Sequence, residues 1–63
     1  MRLLFLVSED RYFFSHRFNL AKAAVKAGLT VAVATKGNQY IEQIKAAGIQ
    51  VFPLTHFDRA SLS

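Results

Sequence analysis

The strongest constraint on the fold is a short segment that occurs twice in the chain, twenty residues apart. Residues 26–31 read K-A-G-L-T-V, and residues 46–51 read A-A-G-I-Q-V. In each copy a glycine separates an alanine-containing stretch from an apolar one, and glycine is the usual residue just beyond a helix end. The pattern therefore predicts a helix followed by a strand at both places.

Apolar runs predict three strands, over residues 2–7, 30–35 and 49–54. The first run is apolar without alternation after Arg2, which is typical of a strand covered on both faces of a parallel sheet. A helix over residues 16–27 is expected to begin after Ser15 as its N-cap, and a shorter helix is expected over residues 38–47. The longer helix is predicted to be amphipathic, with five residues on its inner side: Phe18, Leu20, Ala21, Ala24 and Val25.

The predicted order is β-α-β-α-β, which is one half of a Rossmann-like, doubly wound α/β domain. Short crossovers between parallel strands are right-handed, so we expect a three-stranded parallel sheet in the order 3-2-1 with both helices on one face. The other face is expected to be apolar as well, because Leu4 and Leu6 alternate with the remaining apolar residues of the first strand. We therefore expect another element to cover that face, and the first strand to be an open edge.

Size and composition restrict the possible classes of protein. The 63 residues allow one small domain, and the absence of cysteine excludes disulfides and fits a reducing, cytoplasmic location. The longest apolar run has five residues, far below the roughly 18 of a membrane span. The net charge is +4, but no two basic residues are adjacent, so a nucleic-acid surface is not expected.

Several kinds of chemistry are excluded by missing motifs. No glycine precedes Gly28, so the G-x-G-x-x-G fingerprint of dinucleotide binding is absent, and no P-loop motif occurs. The two histidines, His16 and His56, lie forty positions apart, without metal-ligand spacing. A phosphate-accepting receiver domain would need an aspartate after the third strand, where Thr55 stands. Neither a metal nor a cofactor is expected.

Ligands of open α/β sheets bind beyond the carboxyl ends of the strands, where residues 8–15, residues 35–38 and the residues from Thr55 onward should meet. The first stretch, with the two residues after it, is the most informative, because two acids, an imidazole and two guanidiniums surround the expected helix start. The candidate substrate-binding residues are Glu9, Asp10, His16 and Arg17. For the two acids, pairing with Arg11 or Arg17, or capping of the helix, is the alternative role. Packing is the expected role of three aromatic residues: Tyr12, Phe13 and Phe14.

The chain resembles the extreme N-terminus of bacterial family-four glycosyltransferases of the GT-B type, which have two Rossmann-like domains. The specific part of the resemblance is E-D-x-Y-F-x-S-H-R over residues 9–17, and the generic part is the apolar opening strand, the two A-G helix ends and the third strand leading to P-L. The resemblance covers residues 1–63, which would form a partial, acceptor-side Rossmann-like domain with no second domain.

The resemblance implies metal-independent transfer of a sugar from a nucleotide-sugar donor to an acceptor in polysaccharide or glycoconjugate synthesis. It also implies that the four candidate residues line the cleft, with His16 and Arg17 nearest to phosphate, and that the chain is inactive alone. In a longer protein the expected partners are a nucleotide sugar and an acceptor. The chain is also expected to associate with a missing C-terminal part or with a second copy of itself. Peripheral association with a membrane is a further expectation. The alternative is a small non-catalytic α/β interaction module that self-associates through its uncovered sheet face.

Overall fold

The computed structural model describes residues 1–54, so the predicted loop from Thr55 onward lies outside the described residues. Helices connect the strands along this part of the chain, as the sequence predicts, but the first connection contains two helices where one was predicted. The six elements are β1 Arg2–Leu6, α1 Asp10–His16, α2 Phe18–Lys26, β2 Thr30–Thr35, α3 Ile41–Ala46 and β3 Gln50–Pro53.

The three strands form one parallel sheet in the order β1-β2-β3, which confirms the predicted α/β class and strand order. Residue 2 of β1 pairs with residue 30 of β2, and residue 32 of β2 pairs with residue 50 of β3. The central strand is therefore β2, and β1 has no partner on its outer edge within the described residues.

All three helices pack on the same face of the sheet. Phe13 of α1, Ala21 of α2 and Ile44 of α3 are fully buried in one cluster with Val31 and Val33 of β2. The sheet residues that face the helices alternate with residues that face the other way, as the two-residue period of a strand requires. One apolar layer between helices and sheet is therefore the core.

The two repeated glycines end helices as predicted. Gly28 follows α2 with φ +96°, and Gly48 follows α3 with φ +87°. The N–H of Gly28 donates to the carbonyl of Val25, and the N–H of Gly48 donates to that of Lys45. The left-handed backbone at both positions explains why glycine occupies each of them, because a side chain at positive φ is strained.

The first helical region begins earlier than predicted and has a bend. Ser15 is not an N-cap, because it lies inside α1, which begins at Asp10. Helical conformation is interrupted at Arg17, where φ is −125°, before α2 begins at Phe18. Beside the bend, the Phe18 ring stacks on Phe14 at 4.6 Å between centroids. Helix α1 therefore includes the aromatic residues that precede Ser15.

The face of the sheet opposite the helices is uncovered in residues 1–54, as predicted. Leu4 and Leu6 are about two-thirds exposed there, at 62% and 65%, and Phe52 of β3 lies on the same face at 53%. The prediction for Leu20 is wrong, because this residue is 59% exposed on α2 and does not join the core. Its helix turns the smaller side chain of Ala21 toward the sheet instead.

Candidate functional site

The connections that follow β1 and β2 meet at the carboxyl edge of the sheet, as the sequence predicts. The backbone N–H of Asp10 donates to the carbonyl of Lys36 at 2.8 Å. The N–H of Leu54, just after β3, donates to the carbonyl of Thr35 at 2.9 Å. Backbone hydrogen bonds therefore join the ends of all three strands at the edge where open α/β sheets bind ligands.

Asp10 is the residue around which this edge is organised. Its side chain is buried, with 1% exposure, and its Oδ2 accepts a hydrogen bond of 2.7 Å from the backbone N–H of Tyr40. Tyr40 is the N-cap residue of α3, a short helix with no side-chain cap of its own. The Asp10 carboxylate thus satisfies a donor at the start of α3 that the helix itself leaves without a partner.

Gly37 makes this arrangement possible. Its φ is +96°, and a Cβ atom at this position would overlap the carboxylate of Asp10. Absence of a side chain lets the backbone after β2 approach the buried carboxylate. The Asp10 side chain therefore holds the two connections together, a role that the sequence did not predict for it.

The aromatic rings of Phe14 and Tyr40 strengthen the same junction. Their centroids lie 4.3 Å apart with the ring planes 10° from parallel, and Phe14 also stacks on Phe18. Each ring is partly buried. Helix α1 is thus joined to the start of α3 twice through Tyr40, by a hydrogen bond from its backbone to Asp10 and by packing of its ring on Phe14.

The other three predicted site residues are exposed, and the structure divides the four into two pairs. Glu9 precedes α1 as its N-cap residue and adjoins Asp10, whereas His16 is the last residue of α1 and adjoins Arg17. Seven residues of helical rise separate Glu9 from His16, which is about 10 Å along the axis. The prediction that His16 lies at the start of a helix is therefore wrong, because α1 begins one residue after Glu9.

The local contacts of these exposed side chains are few. The ring of His16 lies against that of Tyr12, with centroids 4.4 Å apart. In the described part of the chain the one ion pair joins Lys45 to Glu42, so the predicted pairing of Glu9 or Asp10 with an arginine is not formed there. Glu9 and His16 therefore present a carboxylate and an imidazole to solvent.

A hollow of about 240 Å³ lies at the carboxyl ends of β2 and β3. Its walls come from Thr35, Lys36, Gly37, Pro53 and Leu54. Lys36 is the one charged side chain of the wall, and the Thr35 hydroxyl donates to the Lys36 carbonyl. The sequence placed residues 35–38 at this edge but indicated no role for Gly37 or Tyr40, although a glycine just after a strand is a local signal for a tight turn.

None of the side-chain hydrogen bonds within residues 1–54 joins a nucleophile to a histidine or a carboxylate. No group of three histidine, cysteine, aspartate or glutamate residues in that range is arranged to hold a metal ion. None of the helices of this range has the length and the apolar character needed to cross a membrane.

Comparison with known proteins returned no relative: no family model matches the chain, and neither a curated protein nor a solved structure is significantly similar to it.

Proposed function

We propose that this chain is the N-terminal, acceptor-side part of a GT-B glycosyltransferase, which transfers a sugar from a nucleotide-sugar donor to an acceptor in the cytoplasm. The observation that carries the proposal is an uncovered apolar sheet face together with an unpaired β1 edge, within residues 1–54. In a doubly wound domain the first strand is central and both sheet faces are covered. The described unit has the form of one half of such a domain.

The sugar-transfer part of the proposal is supported by the resemblance over residues 9–17, E-D-x-Y-F-x-S-H-R. This stretch includes the N-cap and the whole of α1, directly after β1. Glu9, His16 and Arg17 are exposed on it and are the proposed substrate contacts. Asp10 is the proposed positioning residue, because its buried carboxylate holds the connection after β2 instead of facing solvent.

The donor-binding machinery of such enzymes belongs to their C-terminal domain. The 63-residue chain is therefore expected to show neither sugar transfer nor hydrolysis of nucleotide sugars by itself. Turnover that co-purifies with the pure 7.1 kDa species would contradict this expectation.

The first experiment is the intact mass of the native product, captured from its source cell with an antibody against this segment. A product several times larger than 7.1 kDa supports the transferase proposal. In that larger protein, His16→Ala and Arg17→Ala should each lower kcat/KM for sugar transfer at least tenfold. Lys22→Ala and Lys26→Ala, two exposed cations of α2, are the matched controls and should change it less than twofold. Equal effects in both sets would remove the proposed site.

The uncovered face also favours a second candidate function, a small non-catalytic interaction module that acts through this face. The sequence-based expectation for such a module is self-association. A native product near 7.1 kDa would favour the module and contradict the transferase proposal.

A further inference from the structure

We draw no further inference here: the strongest candidate, the groove of about 480 Å³ that Leu4 and Phe52 help to line on the uncovered apolar face of the sheet, carries nothing because nothing in residues 1–54 shows what covers it.

Discussion

Substitution of Gly37 by alanine tests the junction between Asp10 and Tyr40. Gly28 provides a matched control, because both glycines have φ +96° and a Cβ added to Gly28 would have no atom within 4 Å, whereas a Cβ on Gly37 would overlap the Asp10 carboxylate. An alanine at positive φ costs about 1–2 kcal/mol at either position. The difference in the free energy of unfolding between the two variants is therefore the cost of displacing the Asp10 carboxylate.

That displacement removes the hydrogen bond from the Tyr40 N–H to a charged acceptor. Hydrogen bonds to charged groups contribute about 1.5–3 kcal/mol. Gly28→Ala should thus lower the free energy of unfolding by about 1–2 kcal/mol, and Gly37→Ala by about 2.5–5 kcal/mol. Asp10→Ala alone should cost about 1.5–3 kcal/mol.

The double variant Asp10→Ala/Gly37→Ala completes the cycle. With the carboxylate already removed, the added Cβ meets no obstacle, so the double variant should be about 2 kcal/mol more stable than the sum of the two single effects implies. The free energy of unfolding is measured by urea titration with circular dichroism at 222 nm. A chain of this size has a total free energy of unfolding of about 3–9 kcal/mol, so a variant can be unfolded in buffer. In that case all variants are compared in the presence of a stabilising osmolyte. Equal costs at both glycines, or coupling near zero, would refute the reasoning.

Two further predictions concern the aromatic side chains. In both, the change in stability of each variant is measured by thermal unfolding. Tyr40→Ala removes the ring that stacks on Phe14 and should cost about 1.5–3 kcal/mol of stability. Tyr40→Phe keeps the ring and should stay within about 0.5 kcal/mol of the parent. Similar losses of stability in both variants would exclude ring stacking as the cause. Phe13→Ala removes a fully buried ring that packs edge-on against Phe5 and should cost about 3–5 kcal/mol of stability. Tyr12→Ala, at a residue that is 51% exposed, should cost less than about 1 kcal/mol. A larger loss of stability for Tyr12→Ala than for Phe13→Ala would contradict the placement of α1.

The unpaired edge of β1 leads to a prediction about solubility. Leu4 and Leu6 are exposed beside backbone groups that have no partner within the described residues. Leu6→Lys places a charge beside this edge, which natural proteins use to prevent edge-to-edge pairing. The variant should remain monodisperse in light scattering at concentrations several times higher than the parent tolerates. Leu20→Lys on α2 is the control and should not give this gain; equal gains would assign the effect to net charge alone.

The sequence was a good guide wherever the cause of structure is local. The glycines at positions 28 and 48 end helices because each adopts a positive φ that other residues avoid, and this preference is visible without a fold. The uninterrupted apolar run at the N-terminus predicts a strand with two apolar faces, and the structure decides that Leu4 and Leu6 are the residues on the face opposite the helices. The start of α1 was predicted incorrectly because Ser15 has the chemistry of a cap but lies in the middle of a helix.

The site depended on contacts between distant parts of the chain. Asp10 and Tyr40 are thirty residues apart, and nothing in either local sequence indicates that the carboxylate of one accepts the backbone N–H of the other. The separation of Glu9 from His16 follows from the early start of α1, which places the two residues at opposite ends of that helix.

The sequence by itself determined the three strands and the existence of an uncovered apolar face, because backbone preferences and hydrophobic periodicity act over a few residues. The strand order was predicted from the general handedness of short crossovers. Only the tertiary structure decided that Asp10 is buried beside Gly37 and that the uncovered face is a groove. Both depend on how the sheet brings residues of different strands and loops side by side. That register is a property of the assembled sheet, and no single segment specifies it.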